Sequence, residues 1–176
     1  MPTLPRALAP VYLVLAVLAL VGAGRAAAQV APVVSSADFA LSGSILTPTD
    51  PCRPGVDRVT LTGKIHVLTL VQFPVDPLRP ASIRILVNLA DVSGVGESDI
   101  LYHATGASKA LTQAIPSDLY IVALFSGDFD LVPAAACGLG TVTVSAQLVF
   151  NPDGQLYVPP CTDNVPCTSF GFGDPD

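Results

Sequence analysis

The stretch Val59-Thr60-Leu61-Thr62-Gly63-Lys64-Ile65-His66-Val67-Leu68-Thr69-Leu70-Val71 decides the fold. Val59, Leu61, Gly63, Ile65, Val67, Thr69 and Val71 fall on one face, and Thr60, Thr62, Lys64 and His66 on the other. Successive side chains of an extended chain point to opposite sides, so a period of two marks a long strand with one buried face. The period recurs on both sides of this segment. Phe39, Leu41, Gly43 and Ile45 mark an earlier strand, joined to the first by the proline-rich segment Pro48 to Gly55. Ile83, Ile85, Val87 and Leu89 define a third strand, preceded by Pro74, Pro77 and Pro80, and Ile100, Tyr102 and Ala104 a fourth. Leu119 to Phe125 is an apolar run short enough for a buried strand, and Phe129 to Val132 extends the set after a turn at Ser126-Gly127-Asp128. The last long strand alternates Val142, Val144, Ala146, Leu148 and Phe150 with Thr141, Thr143, Ser145 and Gln147. It turns at Asn151-Pro152-Asp153-Gly154 and returns through Leu156, Tyr157 and Val158 as a hairpin.

Only Ala107 to Ala114 has helix-forming composition, and Gly106 and Pro116 limit it to a turn or two. The expected fold is therefore all-β, an antiparallel β-sandwich of six to eight strands, immunoglobulin-like or jelly-roll-like. The sandwich is expected over residues 37–160, after a mobile start at 29–36 and before a disulfide-closed loop and flexible tail at 161–176.

Residues 1–28 read as a secretory signal: Arg6 precedes an uninterrupted apolar stretch from Ala7 to Ala23, and Ala26 and Ala28 occupy the alternate positions a signal peptidase reads. Cleavage after Ala28 would leave Gln29 first, and the apolar core is short for a membrane span. No cysteine near that point favours lipid attachment, and the polar Gly173-Asp174-Pro175-Asp176 ending offers no C-terminal anchor. The expected location is secreted or periplasmic, with no membrane association after cleavage. Without residues 1–28 the chain has 148 residues and six basic against fourteen acidic side chains, a net charge of -8. Scattered cations on so acidic a chain argue against nucleic acid as a partner.

Cys52, Cys137, Cys161 and Cys167 all lie in the mature part. An even count in an exported chain predicts two disulfides, with three possible connectivities. Cys161 and Cys167 flank a short loop that can close on itself, which would leave Cys52 with Cys137, a link expected to stabilise by about 4 kcal/mol if unstrained. No Cys-x-x-Cys pair occurs, and His66 and His103 lie far from any cysteine, so no zinc site is assigned.

His66 and His103 are the natural proton carriers to consider, and each is expected on a solvated strand face. Asp128-Phe129-Asp130 places two carboxylates on one side of an extended segment, and Asp91, Glu97 and Asp99 bracket an expected Gly94-Val95-Gly96 turn. Asp128 and Asp130 are the calcium candidates, but the remaining spacing of an EF-hand loop is missing and the preferred reading is turn-forming, solubilising aspartates. Neither a Gly-x-Ser-x-Gly elbow nor a Ser-x-x-Lys spacing occurs, and no phosphate-binding loop. With no Trp, a sugar platform would rest on Tyr102, Tyr120 and Tyr157.

The segments Asn88-Leu89-Ala90-Asp91-Val92-Ser93-Gly94-Val95-Gly96 and Tyr102-His103-Ala104-Thr105-Gly106-Ala107 are more individual. Together they resemble a pattern of secreted bacterial β-rich proteins without an assigned activity: Asn-Leu-x-x-Val-Ser-Gly-Val-Gly, then Tyr-x-Ala-Thr-Gly-Ala. The resemblance implies a compact exported β domain and nothing about catalysis.

The expected function is binding or structural, toward a protein or glycan partner, with no catalytic residue and no cofactor assigned. The alternative is a small extracellular hydrolase or metal-dependent enzyme using His66 or His103 with loop carboxylates. Self-association is a third expectation, if the strand beginning at Val59 lies at a sheet edge.

Overall fold

The computed structural model describes residues 30–50, 53–134, 140–159 and 166–173. None of them is helical. Eight strands follow in order: β1 (Val33–Asp50), β2 (Arg53–Gln72), β3 (Ala81–Gly96), β4 (Leu101–Thr105), β5 (Ala107–Ala114), β6 (Ile121–Pro133), β7 (Gly140–Phe150) and β8 (Ser169–Phe172).

The all-β antiparallel expectation holds, but the strands form one sheet rather than the two of a sandwich. Its order is β1-β2-β3-β4-β6-β7-β8, with β5 also paired to β3. β1 to β4 and β6 to β8 each run as a meander, while β6 pairs with β4 rather than with β5. β3 is long enough to serve two partners: Ala81 to Asn88 pairs with β5 and Val92 to Val95 with β4. Gly106, at φ 118°, turns the chain between those partners, a conformation in which a Cβ would be strained.

Curvature lets the single sheet cover its own apolar face. Between Thr62 and Lys64 the β2–β3 register shifts, so that Gly63 opposes both Asp91 and Val92, and Asp91 takes φ 55°. Such a bulge bends a strand and increases its twist. The sheet curls until β8 approaches β1, where the Phe39 and Phe170 rings lie 5.0 Å apart, giving a nearly closed, barrel-like form. Inside it, Tyr102, Phe125 and Phe150 are the bulkiest fully buried side chains, among Leu61, Ile65, Ile83 and Leu148. The buried face of β2 is the one its alternation predicts, with Val59, Leu61, Ile65, Val67, Thr69 and Val71 all inside.

Several local expectations change. Ala107–Ala114 is strand β5, because alternate residues Ser108, Ala110, Thr112 and Ala114 turn partly inward and the backbone bonds to β3. Ser126-Gly127-Asp128 lies within β6, paired across to Ser145, Val144 and Thr143, so no turn interrupts that strand. Gly94-Val95-Gly96 ends β3, and the turn follows it. Val33 to Ser36 of the expected mobile start belongs to β1, and Ser169 to Phe172 of the expected tail forms β8. The hairpin after Phe150 is reduced to one bridge, Phe150 to Leu156, across a turn in which Gly154 has φ 87°. β2 is flanked by β1 and β3, so it is not the sheet edge that strand-to-strand self-association requires.

Cys167 is disulfide-bonded. Cys52, Cys137 and Cys161, with residues 1–29, lie outside the described residues, and so do the disulfide pairing and the expected signal.

Candidate functional site

On the outer face, the register of β1, β2, β3 and β5 lines side chains up in rows across the strands. Val34, Leu70, Arg84 and Leu111 make one row, and Ser36, Leu68, Leu86 and Lys109 the next. Asp38, His66, Asn88 and Ala107 make the third. Rows form because paired residues on neighbouring strands project to the same side.

The first two rows surround a shallow groove of about 520 Å³. Val34, Leu68, Leu70, Leu86, Ala110 and Leu111 supply its apolar lining. Leu111 is 69% exposed, a large cost in unburied apolar surface for a residue on a solvated strand. Arg84 and Lys109 stand on the same walls. Among the described residues neither has a hydrogen-bond or ion-pair partner, and no acidic side chain lines the groove. In a chain of net charge -6 with only eight basic residues, two unpaired cations beside an apolar trough make a local field opposite to that of the whole molecule.

The third row carries a hydrogen-bonded chain that no sequence motif announces. His66 Nδ1 lies 2.6 Å from Asp38 Oδ1, and Ser36 Oγ lies 3.1 Å from His66 Nε2. A carboxylate only accepts, so Nδ1 carries the proton; in the neutral ring Nε2 is left to accept from the Ser36 hydroxyl. Ser36 and Asp38 reach the same imidazole because they are two residues apart on β1, hence on one face, and Asp38 is the direct partner of His66. The side chains of His66 and Asp38 are 42% and 67% exposed, so the group is open to a ligand. Ser36 adjoins the groove: Val34 precedes it on its own face, and Leu68 stands opposite on β2.

The other sequence candidates are dispersed. His103 lies on β4 paired to Ser93 and Val132, away from His66, whose neighbours are Asp38 and Asn88. The carboxylate that meets His66 comes from a strand, not from a loop. Asp128 and Asp130 both face outward on β6, where Asp128 Oδ1 accepts a 2.7 Å hydrogen bond from Thr143 Oγ1. Among the described residues, no cluster of three or more His, Cys, Asp or Glu forms around them or elsewhere. Tyr120 and Tyr157 do meet, with centroids 5.5 Å apart, but edge to face, which leaves no flat platform for a sugar.

A second polar cluster, which no sequence motif marks, is buried. Asp57, 2% exposed, accepts 3.1 Å hydrogen bonds from the Ser98 backbone N–H and the Tyr102 hydroxyl, and a further one from the Ser98 hydroxyl. Burial pushes its carboxyl up, but the hydrogen bonds from Ser98, Tyr102 and the Glu97 backbone outweigh that and hold it below its ordinary value. All its partners lie in or beside the β3–β4 turn, so it fastens that turn to β2 and is structural.

No protein-family model, curated protein or solved structure matches the chain.

Proposed function

We propose that this is an exported β domain that binds a small anion with an apolar body in the groove of β1, β2, β3 and β5. The observation that carries this reading is the unpaired Arg84 and Lys109 beside exposed Leu68 and Leu111 and half-buried Leu86. An apolar trough rewards a hydrocarbon, and two cations with no internal partner reward a carboxylate or a comparable anionic head. Of the partners a sequence reading favours, a glycan is the poorer fit, because no aromatic ring lines the groove. Export after Ala28, and pairing of Cys161 with Cys167 and Cys52 with Cys137, complete the proposal. The disulfide on Cys167 supports it, since disulfides persist outside the cytoplasm.

Titration calorimetry with dodecanoate tests the reading. Binding is expected, and it should weaken by about tenfold or more in the variant carrying both Arg84→Ala and Lys109→Ala. Both side chains are exposed or groove-lining, so the fold should be unchanged. Dodecanol, which has no charge, should bind as weakly to the wild type as dodecanoate does to the double variant. Failure of dodecanoate to bind, or equal binding by the double variant, would overturn the proposal. The hydrolase alternative has one specific observation in its favour, the chain from Ser36 through His66 to Asp38.

A further inference from the structure

The geometry points to Ser36, His66 and Asp38 as an ester-cleaving site served by the groove, acting on esters whose acyl part ends in an anion. This rests on the groove reading above and adds a reaction to it. Three features converge. The atoms are connected in the order nucleophilic catalysis needs, with the serine hydroxyl on Nε2 and the carboxylate on Nδ1. Ser36 is exposed at the β1 side of the groove, where a substrate carbonyl can reach it. Arg84 and Lys109 stand on β3 and β5, at the far side. From β1 to β5 there are three strand intervals, about 14 Å at the usual spacing. An ester carbonyl at Ser36 with its acyl chain laid across Leu68 and Leu86 would therefore bring a terminal carboxylate to Lys109.

The step balances with water as the only co-reactant. Ser36 Oγ attacks the acyl carbon while its proton passes to His66 Nε2. The acyl carbon–oxygen bond to the alcohol then breaks, and His66 returns the proton to the departing oxygen. A water molecule attacks the acyl-serine next, giving one proton to Nε2, and the acyl–Oγ bond breaks as Oγ recovers that proton. The products are an alcohol and a carboxylic acid. Asp38 is a positioning residue: it holds Nδ1–H and so keeps Nε2 aimed at Ser36. Asn88, across from His66 on β3, has an amide with no partner among the described residues and places an N–H donor on the same face for the developing oxyanion.

The probe is the mono-p-nitrophenyl ester of dodecanedioic acid, compared with neutral p-nitrophenyl dodecanoate and with p-nitrophenyl acetate. The full mature chain is expected to release nitrophenol fastest from the anionic ester. Ser36→Ala and His66→Ala should each lower kcat by about a hundredfold or more. Asp38→Asn should lower kcat with KM unchanged, a split that a loss of folding would not produce. A fluorophosphonate should label Ser36, and should fail to label it in His66→Ala. The proposal is overturned by absence of turnover, by turnover that survives Ser36→Ala, or by labelling that survives His66→Ala. Equal rates on the anionic and neutral long esters would overturn the substrate class. If dodecanoate binds and no ester is cleaved, this inference fails while the groove reading stands. Ser36-dependent cleavage without dodecanoate binding would sink the groove reading instead, and with it the substrate class.

Discussion

Replacing Gly94 by alanine is expected to cost about 3–5 kcal/mol, enough to remove much of the roughly 5–15 kcal/mol that holds a domain of this size together. A Cβ at Gly94 would sit 1.9 Å from the Thr60 carbonyl oxygen and 2.7 Å from its carbon. Both atoms are backbone of β2, so no side-chain rotation relieves the clash. β2 and β3 would have to separate where Leu61 pairs with Gly94, and Leu61 is fully buried there. Dispersion contacts fall off within an ångström, so even a small separation loosens the packing on both strands. Gly171→Ala is the matched control, since nothing lies within 4 Å of a Cβ at that position. Urea denaturation followed by circular dichroism should show a large loss of midpoint for the first variant and almost none for the second. Equal midpoints would mean that the close approach of β3 to Thr60 does not exist.

Asp57→Asn is the other large effect, expected at about 2–3 kcal/mol. The Ser98 N–H, Ser98 hydroxyl and Tyr102 hydroxyl all donate to this carboxylate. An amide replaces one acceptor oxygen by an NH₂ facing those donors, and it removes the charge that strengthens the bonds. The same group makes stability depend on pH. Its carboxyl is held below the ordinary carboxyl value, so the unfolded chain takes up the proton first as pH falls. The stabilisation is complete above the unfolded value and is lost as pH drops through the lower folded value. Between neutral pH and about 3, the wild type should lose more stability than Asp57→Asn, and the two curves should converge in acid. A constant gap between them would exclude Asp57 as the source.

The strands were legible because alternation is a local property. Thr60, Thr62, Lys64 and His66 read as the outer side of β2, and they are. Ala107 to Ala114 misled because alanine, lysine and glutamine favour helices in isolation, whereas here backbone bonds to β3 override that weak preference. The glycines of the Asn88 to Gly96 segment read as turn formers, but they mark close approaches: Gly94 to Thr60, and Gly96 to Asp57, whose Oδ2 would lie 2.0 Å from a Cβ. Sequence patterning carries no sign of what approaches a glycine, and so none of the role of Asp57.

Ser36 and Asp38 escaped for a different reason. Ser36 falls in the expected mobile start and Asp38 among the first residues of the expected domain, and no motif singles out either. Their pairing with β2 was still implicit. From Val33 to Pro48, the residue numbers of β1 and their β2 partners add to 104, which centres the hairpin on the proline-rich connection. Taking that centre as a mirror places Asp38 opposite His66.

What the sequence alone determined is thus the set of strands and the side of each that is buried, since both follow from a two-residue period and from the cost of wetting apolar side chains. The tertiary structure decided three other things. It curled one sheet into a nearly closed, barrel-like form, because the bulge at Asp91 and Val92, opposite Gly63, and the natural twist bend the long strands until the sheet covers its own apolar face. It set Ser36 beside His66 through the β1–β2 register, and it brought Arg84 and Lys109 to one apolar groove through the pairing of β3 with β5. Contacts of this kind join residues distant in the chain, and they exist only once the register between strands is fixed.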